Sequence, residues 1–306
     1  MGNIAFLFPG QASQFVGMGK DLYSFFPRAK EIFDNANEIL GFDLRSVCFE
    51  GPEEQLKQTR ITQPAIFVHS VIVVELLAEK RIYPCMAAGH SLGEYSALVA
   101  AGAIGFEDGL RVVKKRGELM QQAGEKQPGT MAAIIGLPDE QVIDICVEAS
   151  SAGIVAAANF NSPQQVAISG SLEGVARACE LAKQCGAKKV IPLVVSGAFH
   201  SPLMESAQQE LKAALEAITI QSASFPVYAN VTAKQVSAAE EIRELLYKQL
   251  THPVRWVATI ENMIADGATD FYEVGPGNVL SGLVKRINRN YPVIAIGKVD
   301  EINTRV

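Results

Sequence analysis

The chain has 306 residues, 48% apolar, 7% aromatic and 20% charged, a globular composition that excludes a disordered or collagen-like chain. Its net charge of -6 gives no global attraction to nucleic acid or to an anionic membrane, so neither is expected as a partner. The length fits one large domain, or one domain carrying a sizeable insert.

The opening MGNIAFLFPG lacks the basic start and long apolar run of a signal peptide. Phe6 also stands where a myristoylation signal needs Ser or Thr, and a cytoplasmic location is expected. Asn3–Phe8 predicts a short buried strand closed by Pro9-Gly10, and Gln63–Lys80 predicts a buried helix. No stretch is read as reaching the length of a membrane span. YPCMAAGHS leads into a tight turn, GEYSALVAAG predicts a small-residue helix ending at Gly102, and FEDGLRVVKKRGELMQQA predicts an amphipathic helix. Gly124–Thr130 reads as a breaker-rich linker. Strand, helix, strand, strand, helix and strand then follow over roughly Thr130–Val195, the order of a ferredoxin-like unit. Beyond Ser196 longer α/β units return, with strands at FPVYANV, TDFYEVGPG and VIAIG. The simplest architecture is a large α/β domain built from both ends of the chain, a small domain inserted in its middle, and a cleft between them. Cys48, Cys85, Cys146, Cys179 and Cys185 form no CxxC pair and are expected as reduced, mostly buried thiols. No cofactor or metal is expected. The cysteines and histidines lack zinc spacing, no GxxxxGK[ST] occurs, and Leu280 spoils the GxGxxG pattern in GPGNVLSG.

Gly89-His90-Ser91-Leu92-Gly93 matches GxSxG, the pattern of a serine nucleophile on a strand-to-helix turn. The rival reading is a turn whose serine caps the next helix. A serine needs a base within hydrogen-bond reach. His69 lies in an apolar helix, His252 precedes a proline in a loop, and the side chain of His90 should point away from its neighbour. By elimination His200, in VVSGAFHSPLM, is the best base, with a structural or capping histidine as the alternative. No acid between the two announces itself as a triad member. FPGQASQ could offer backbone N–H groups or the Gln11 amide to an oxyanion, although an ordinary polar turn is the simpler reading. Arg116 is either a solvated helical arginine or, if it faces the cleft, a fork for a carboxylate.

FLFPGQASQ, GHSLGEYSALVAAG, KRGELM, NFNSP, GAFHS and YEVGPGNVLSGL occur in that order. Together they resemble the malonyl-CoA:acyl carrier protein transacylases, over essentially the whole chain. The resemblance implies an α/β-hydrolase-like catalytic domain over 1–126 and 197–306, with a ferredoxin-like insert over 127–196. It implies Ser91 as nucleophile, His200 as base, and the backbone carbonyl of Gln249, in place of a carboxylate, as the group that orients the histidine. It further implies backbone N–H groups of Gln11 and Leu92 as the oxyanion hole and Arg116 as the grip on the malonyl carboxylate. Asn159 and Asn161 would lie near the thioester arm of coenzyme A. Phe199 would fill the space of an α-methyl group. The family usually has Gly where Ala12 stands, so a positive φ there would bring strain.

The implied activity is ping-pong transfer of malonyl from malonyl-CoA, a substrate and not a resident cofactor, to the phosphopantetheine thiol of acyl carrier protein, supplying fatty-acid synthesis. An acidic carrier would meet a basic rim for which Lys188, Lys189, Lys285, Arg286 and Arg289 are candidates. The rival readings are a freestanding acyltransferase serving a polyketide synthase, a serine thioesterase, and a non-catalytic carrier-binding protein.

Overall fold

The computed structural model describes residues 2–304. Strand β1 (Ile4–Phe8) is followed by α1 (Lys20–Phe25), α2 (Pro27–Leu40), α3 (Leu44–Glu50), α4 (Glu53–Leu56) and α5 (Thr59–Glu79). Strand β2 (Met86–Gly89), α6 (Gly93–Ala100) and α7 (Phe106–Lys126) come next. The middle of the chain runs β3 (Gly129–Ile135), α8 (Asp139–Ala149), β4 (Val155–Ser162), β5 (Gln165–Ser171), α9 (Leu172–Gln184) and β6 (Lys189–Leu193). A 3-10 turn at Pro202–Met204 leads into α10 (Glu205–Glu216), β7 (Val227–Tyr228), β8 (Gln235–Val236), α11 (Ala239–Gln249) and α12 (Trp256–Ala265). The chain closes with β9 (Asp270–Val274), α13 (Val279–Ile287), β10 (Val293–Ile296) and α14 (Val299–Asn303).

The first sheet has the order β10-β9-β1-β2-β7-β8. Its pairs are parallel except β7 with β8. A parallel sheet is covered on both faces, and β1 shows how the sequence meets that demand. Phe6 and Phe8 point into one core, which includes α2, α5 and α7. Ala5 and Leu7 point into the opposite core, with Trp256, Ile260 and Phe271. The second sheet has the order β4-β5-β3-β6, antiparallel throughout. Helices α8 and α9 pack with it over a separate core that contains Ile134, Val142, Val166, Ile168 and Val175.

The local chemistry explains the element boundaries. Pro27 opens α2 and Gly41 closes it in the left-handed conformation, the positions each residue suits. The Asp43 side chain caps α3 by accepting from Ser46 N–H, and the Ser171 side chain caps α9 by accepting from Gly174 N–H. Helix α7 carries Glu107 and Asp108 in its first turn and Lys126 in its last, which complements its dipole.

Several sequence expectations need correction. The linker shrinks to Gln127 and Pro128, because α7 continues to Lys126 and β3 begins at Gly129. Helix α5 starts at Thr59, four residues earlier than expected, and tolerates Pro64 near its start. It is also long and apolar enough to cross a membrane, so the expectation that no stretch reaches that length fails; 83% of the span is buried inside the fold. Only Cys48 and Cys146 are buried, while Cys85 and Cys185 are exposed. His69 lies on α5 and is packed in the core as expected, and burial pushes its imidazole down to about 4.

The ends of β1 and β2 meet the start of α6 with no room for a side chain. A Cβ on Gly93 would lie 2.1 Å from the carbonyl oxygen of Phe8, and one on Gly89 would lie 1.8 Å from the carbonyl carbon of Gly93. Both obstacles are backbone and cannot rotate away. Gly282, in α13, has open space where its Cβ would stand. Gly93→Ala should therefore cost about 3 kcal/mol or prevent folding, whereas Gly282→Ala should gain up to about 1 kcal/mol from helix propensity. Urea unfolding of the two variants checks the contrast. A second expectation concerns pH. The folded pKa of His69 is below the unfolded value, so the unfolded chain takes up the proton first as pH falls. Stability should drop between pH 6.5 and about pH 4, with His69 contributing about 3 kcal/mol. Thermal melts across that window should show a shallower acid limb for His69→Leu than for the unaltered chain.

Candidate active site

Ser91 sits in the turn between β2 and α6, half-buried, with φ of +52°. A non-glycine residue in this region is strained by about 1–2 kcal/mol, and the surrounding structure holds it there. His90 N–H donates to Phe8 O at 2.9 Å, and Gly93 N–H donates back to His90 O at 2.9 Å. Asn230, just beyond β7, accepts from Ser91 N–H at 2.6 Å through Oδ1 and donates to Gly89 O at 2.6 Å through Nδ2. Glycines at 89 and 93 are what allow these segments to approach so closely.

His200 arrives from the segment after β6, also with a positive φ, of +59°. Its Nε2 is 2.8 Å from Ser91 Oγ and its Nδ1 is 2.9 Å from the backbone carbonyl oxygen of Gln249. A carbonyl can only accept, so Nδ1 carries the proton and Nε2 presents its lone pair to the serine hydroxyl. No carboxylate takes part in this bond. Burial and then the nearby Arg116 charge push the imidazole down to about 3, while the Gln249 carbonyl pulls it up. His200 is therefore a neutral base at neutral pH. His90 turns away from the serine, as expected, and its Nε2 lies 2.8 Å from Asn161 Oδ1. His252 is exposed and bonds Lys248 O at 2.8 Å.

Arg116, on α7, is 0% exposed, which removes the solvated reading. Its Nη1 donates to Gln63 Oε1 at 2.8 Å, and its Nη2 donates to Gln249 Oε1 at 2.9 Å and to Ser91 Oγ at 3.2 Å. The guanidinium lies over the Tyr95 ring, 5.5 Å from its centre. It forms no ion pair within 4.0 Å among the described residues. Its Nε, also buried, takes no hydrogen-bond partner among the described residues. A buried cation held by neutral amides is costly unless an anion completes it. The nearest acid in the network is Glu94, whose carboxyl burial pushes up to about 7 against the pull of Asn230, Gln249 and Arg116.

The remaining expected residues fall around this centre. Gln11 lies on the loop after β1, whose Gly10 is packed so closely on the turn that a Cβ there would meet His90 O at 2.5 Å. The Gln11 side-chain amide is directed to Thr59 Oγ1 at 3.4 Å, leaving the backbone N–H as its available donor. Neither Gln11 N–H nor Leu92 N–H has an acceptor among the described residues. Ala12 adopts φ of +81°, so the alanine does sit in the strained region. Phe199 is buried beside His200 in the larger core. Asn159 is buried on β4, which bridges to Val254, while Asn161 reaches the turn through His90. At the junction expected to hold a cleft, the two units touch through these contacts and through Val254 N–H to Ala158 O at 2.8 Å. Three surface hollows lie away from this junction, against α1 and α14 and between α2 and α5.

Sequence reasoning did not single out Gln63, Glu94, Tyr95 or Asn230. Glu94 had a signal: it is a lone charge in an otherwise small and apolar helix, three residues after the serine. Asn230 had none, since it approaches from a loop 139 residues away in sequence. Chemically, the centre offers a serine nucleophile, a neutral base on it, and a buried cation that donates to the serine oxygen and acts on the base through its charge.

Residues 5–299 match the acyl transferase domain family. The malonyl CoA-acyl carrier protein transacylase of Bacillus subtilis is 48% identical over 307 residues, covering 100% of this chain and 97% of that protein. The Escherichia coli K12 protein of the same name is 45% identical over 288 residues, covering 94% and 93%. Among solved structures, a malonyl-transacylase in complex with its type II PKS acyl-carrier protein superposes with a TM-score of 0.96 at 43% identity, covering 99% of this chain and 98% of that one. An acyl carrier protein S-malonyltransferase from Vibrio cholerae gives 0.96 at 41%, covering 99% and 100%. A match over nearly the whole length, with relatives this similar, shows that the chain belongs to the acyl transferase domain family.

Proposed function

We propose that this chain transfers a malonyl group from malonyl-CoA to the phosphopantetheine thiol of acyl carrier protein, with Ser91 carrying the group between the two. The observation that carries this reading is Arg116: a buried guanidinium without a carboxylate partner, 3.2 Å from the serine oxygen. Malonyl differs from acetyl by one carboxylate, which is the charge this site lacks.

In the first half-reaction the Ser91 hydroxyl proton passes to His200 Nε2 as Oγ bonds the thioester carbon. The N–H groups of Gln11 and Leu92 receive the developing oxyanion; one such donor contributes about 3–4 kcal/mol. The carbon–sulfur bond breaks, coenzyme A leaves as its thiol with the proton from His200, and a malonyl ester stays on Ser91. In the second half the carrier thiol gives its proton to His200, its sulfur bonds the ester carbon, and Ser91 Oγ leaves with that proton. The malonyl carboxylate on Arg116 also offsets part of the charge that holds His200 low. Binding of the diacid thus makes the base stronger at the moment it is needed.

Asn159 and Asn161 are read as flanking the thioester arm, and Phe199 as the side chain that disfavours an α-branched acyl group. A pocket of this kind separates acyl groups differing by one methyl by about 1–3 kcal/mol. The reading also takes 127–196 as a ferredoxin-like insert, supported by its antiparallel strand order, within an α/β-hydrolase-like domain over 1–126 and 197–306, supported by the serine turn. Lys188, Lys189, Lys285 and Arg289 are exposed and in no ion pair among the described residues. Arg286 bonds Gln165 of β5 at 2.9 Å. These residues are the proposed rim for an acidic carrier. The carrier we favour is that of fatty-acid synthesis, in the cytoplasm; the similarity to a type II PKS transacylase supports a polyketide carrier as the second reading.

The test is selectivity. Arg116→Ala should lower malonyl transfer at least a hundredfold while changing acetyl transfer by tenfold or less, measured as kcat/KM with malonyl-CoA and acetyl-CoA. An equal loss for both acyl groups would remove the carboxylate from the account.

A further inference from the structure

One carboxyl oxygen, Glu94 Oε2, joins the two halves of the centre. It accepts from the backbone N–H of Asn230 at 3.0 Å and from Gln249 Nε2 at 2.7 Å. Asn230 is the residue whose side chain grips the serine turn, by Ser91 N–H and Gly89 O. Gln249 is the residue whose backbone carbonyl orients His200. Its side-chain amide also donates to Ser91 O at 3.0 Å and accepts from Arg116 Nη2 at 2.9 Å. The amide cannot be turned over, because a guanidinium only donates and a carboxylate in this position accepts. Nucleophile, base and cation come from three distant parts of the chain, and each is at most two hydrogen bonds from Glu94.

We propose that Glu94 is a positioning residue: its ionised carboxylate braces the serine turn through Asn230 and the base through Gln249, so that Ser91 and His200 meet in reactive geometry. This rests on the transfer reading above and concerns its acylation step for any acyl group. Glu94 touches neither reacting atom. Its carboxylate form accepts two charge-assisted bonds, which are stronger than bonds to the neutral acid. Protonation loosens both arms together.

Its ionisation falls in an accessible range, because burial pushes the carboxyl up to about 7. The groups coupled to it electrostatically are Arg116, from α7, and Tyr95, its neighbour on α6. Both keep constant charge near neutral pH, since Arg116 stays protonated and Tyr95 is pushed up to about 12. His200 is pushed down to about 3 and His90 is also lowered, both by burial first. An inflection near pH 7 that disappears on replacing Glu94 by Gln is thereby assigned to Glu94.

The experiment compares the intact chain with Glu94→Gln, a near-isosteric variant chosen to fold, whose folded fraction is checked by circular dichroism. The kcat/KM for malonyl-CoA and for acetyl-CoA is measured from pH 5 to 9. The expected result is about a tenfold loss at pH 8 for both thioesters. The intact chain should also lose activity as pH falls through about 7, and the variant should lack that limb. Wild-type values with the same inflection in a folded variant would overturn the proposal. A loss confined to malonyl-CoA would also overturn it, since that places Glu94 in the tuning of Arg116 alone. Failure of the unaltered chain to transfer malonyl at all would instead remove the underlying reading.

Discussion

The structure turns on one hydrogen bond between two strained residues. Ser91 Oγ and His200 Nε2 lie 2.8 Å apart across 109 residues of sequence, and both residues hold left-handed backbone conformations. Strain of this size persists only where the surroundings over-determine it. Here they do. Gly93 seats α6 against the end of β1, Asn230 ties the serine turn to β7, and the Gln249 carbonyl fixes the imidazole tautomer. The large parallel sheet is the frame: β1 and β2 end side by side, Phe8 opposite Gly89. Their loops deliver Gln11 and Ser91 to the same point.

On the proposed reading, electrostatics set the selectivity of the centre. A carboxylate triad member would neutralise a protonated His200 and compete for Arg116. A carbonyl partner orients the ring without adding charge, which leaves the guanidinium as the dominant cation of a water-poor site. Gln63, Gln249 and Tyr95 solvate it with neutral dipoles and a ring face. Such a site favours an anion in low dielectric, where the attraction is strongest. In the proposed reaction it would also hold the acyl group in one pose, which favours handing it to an entering thiol over loss to random water.

Much of this was legible in the sequence because it is local. GxSxG encodes a tight turn in which Gly89 answers to Gly93, four residues on, and the alternating strands and helices after residue 129 follow hydrophobic period. His200 was reachable by elimination among four histidines. The brace was not legible. Asn230, Gln63 and Gln249 act through side chains that meet only when α5, α11 and the loop after β7 converge, and no spacing within the chain records that meeting. The oxygen that orients His200 belongs to the backbone, so its own residue type carries no signal. The linker at 124–130 was misread because Gly124 suggests a breaker; in the fold it allows close passage, since a Cβ there would lie 1.9 Å from Ser196 O. Thr59 starts α5 early for a similar tertiary reason, its hydroxyl bonding Ser196 at 2.7 Å.

The central claim is that the diacid rests covalently on one hydroxyl between donor and acceptor. Intact-mass and peptide mass spectrometry after brief mixing with malonyl-CoA tests it most directly. A malonyl adduct mapped to Ser91, which disappears as malonylated acyl carrier protein forms, is the predicted result. Carrier loading with no adduct at Ser91, or an adduct released only as free malonate, would contradict it.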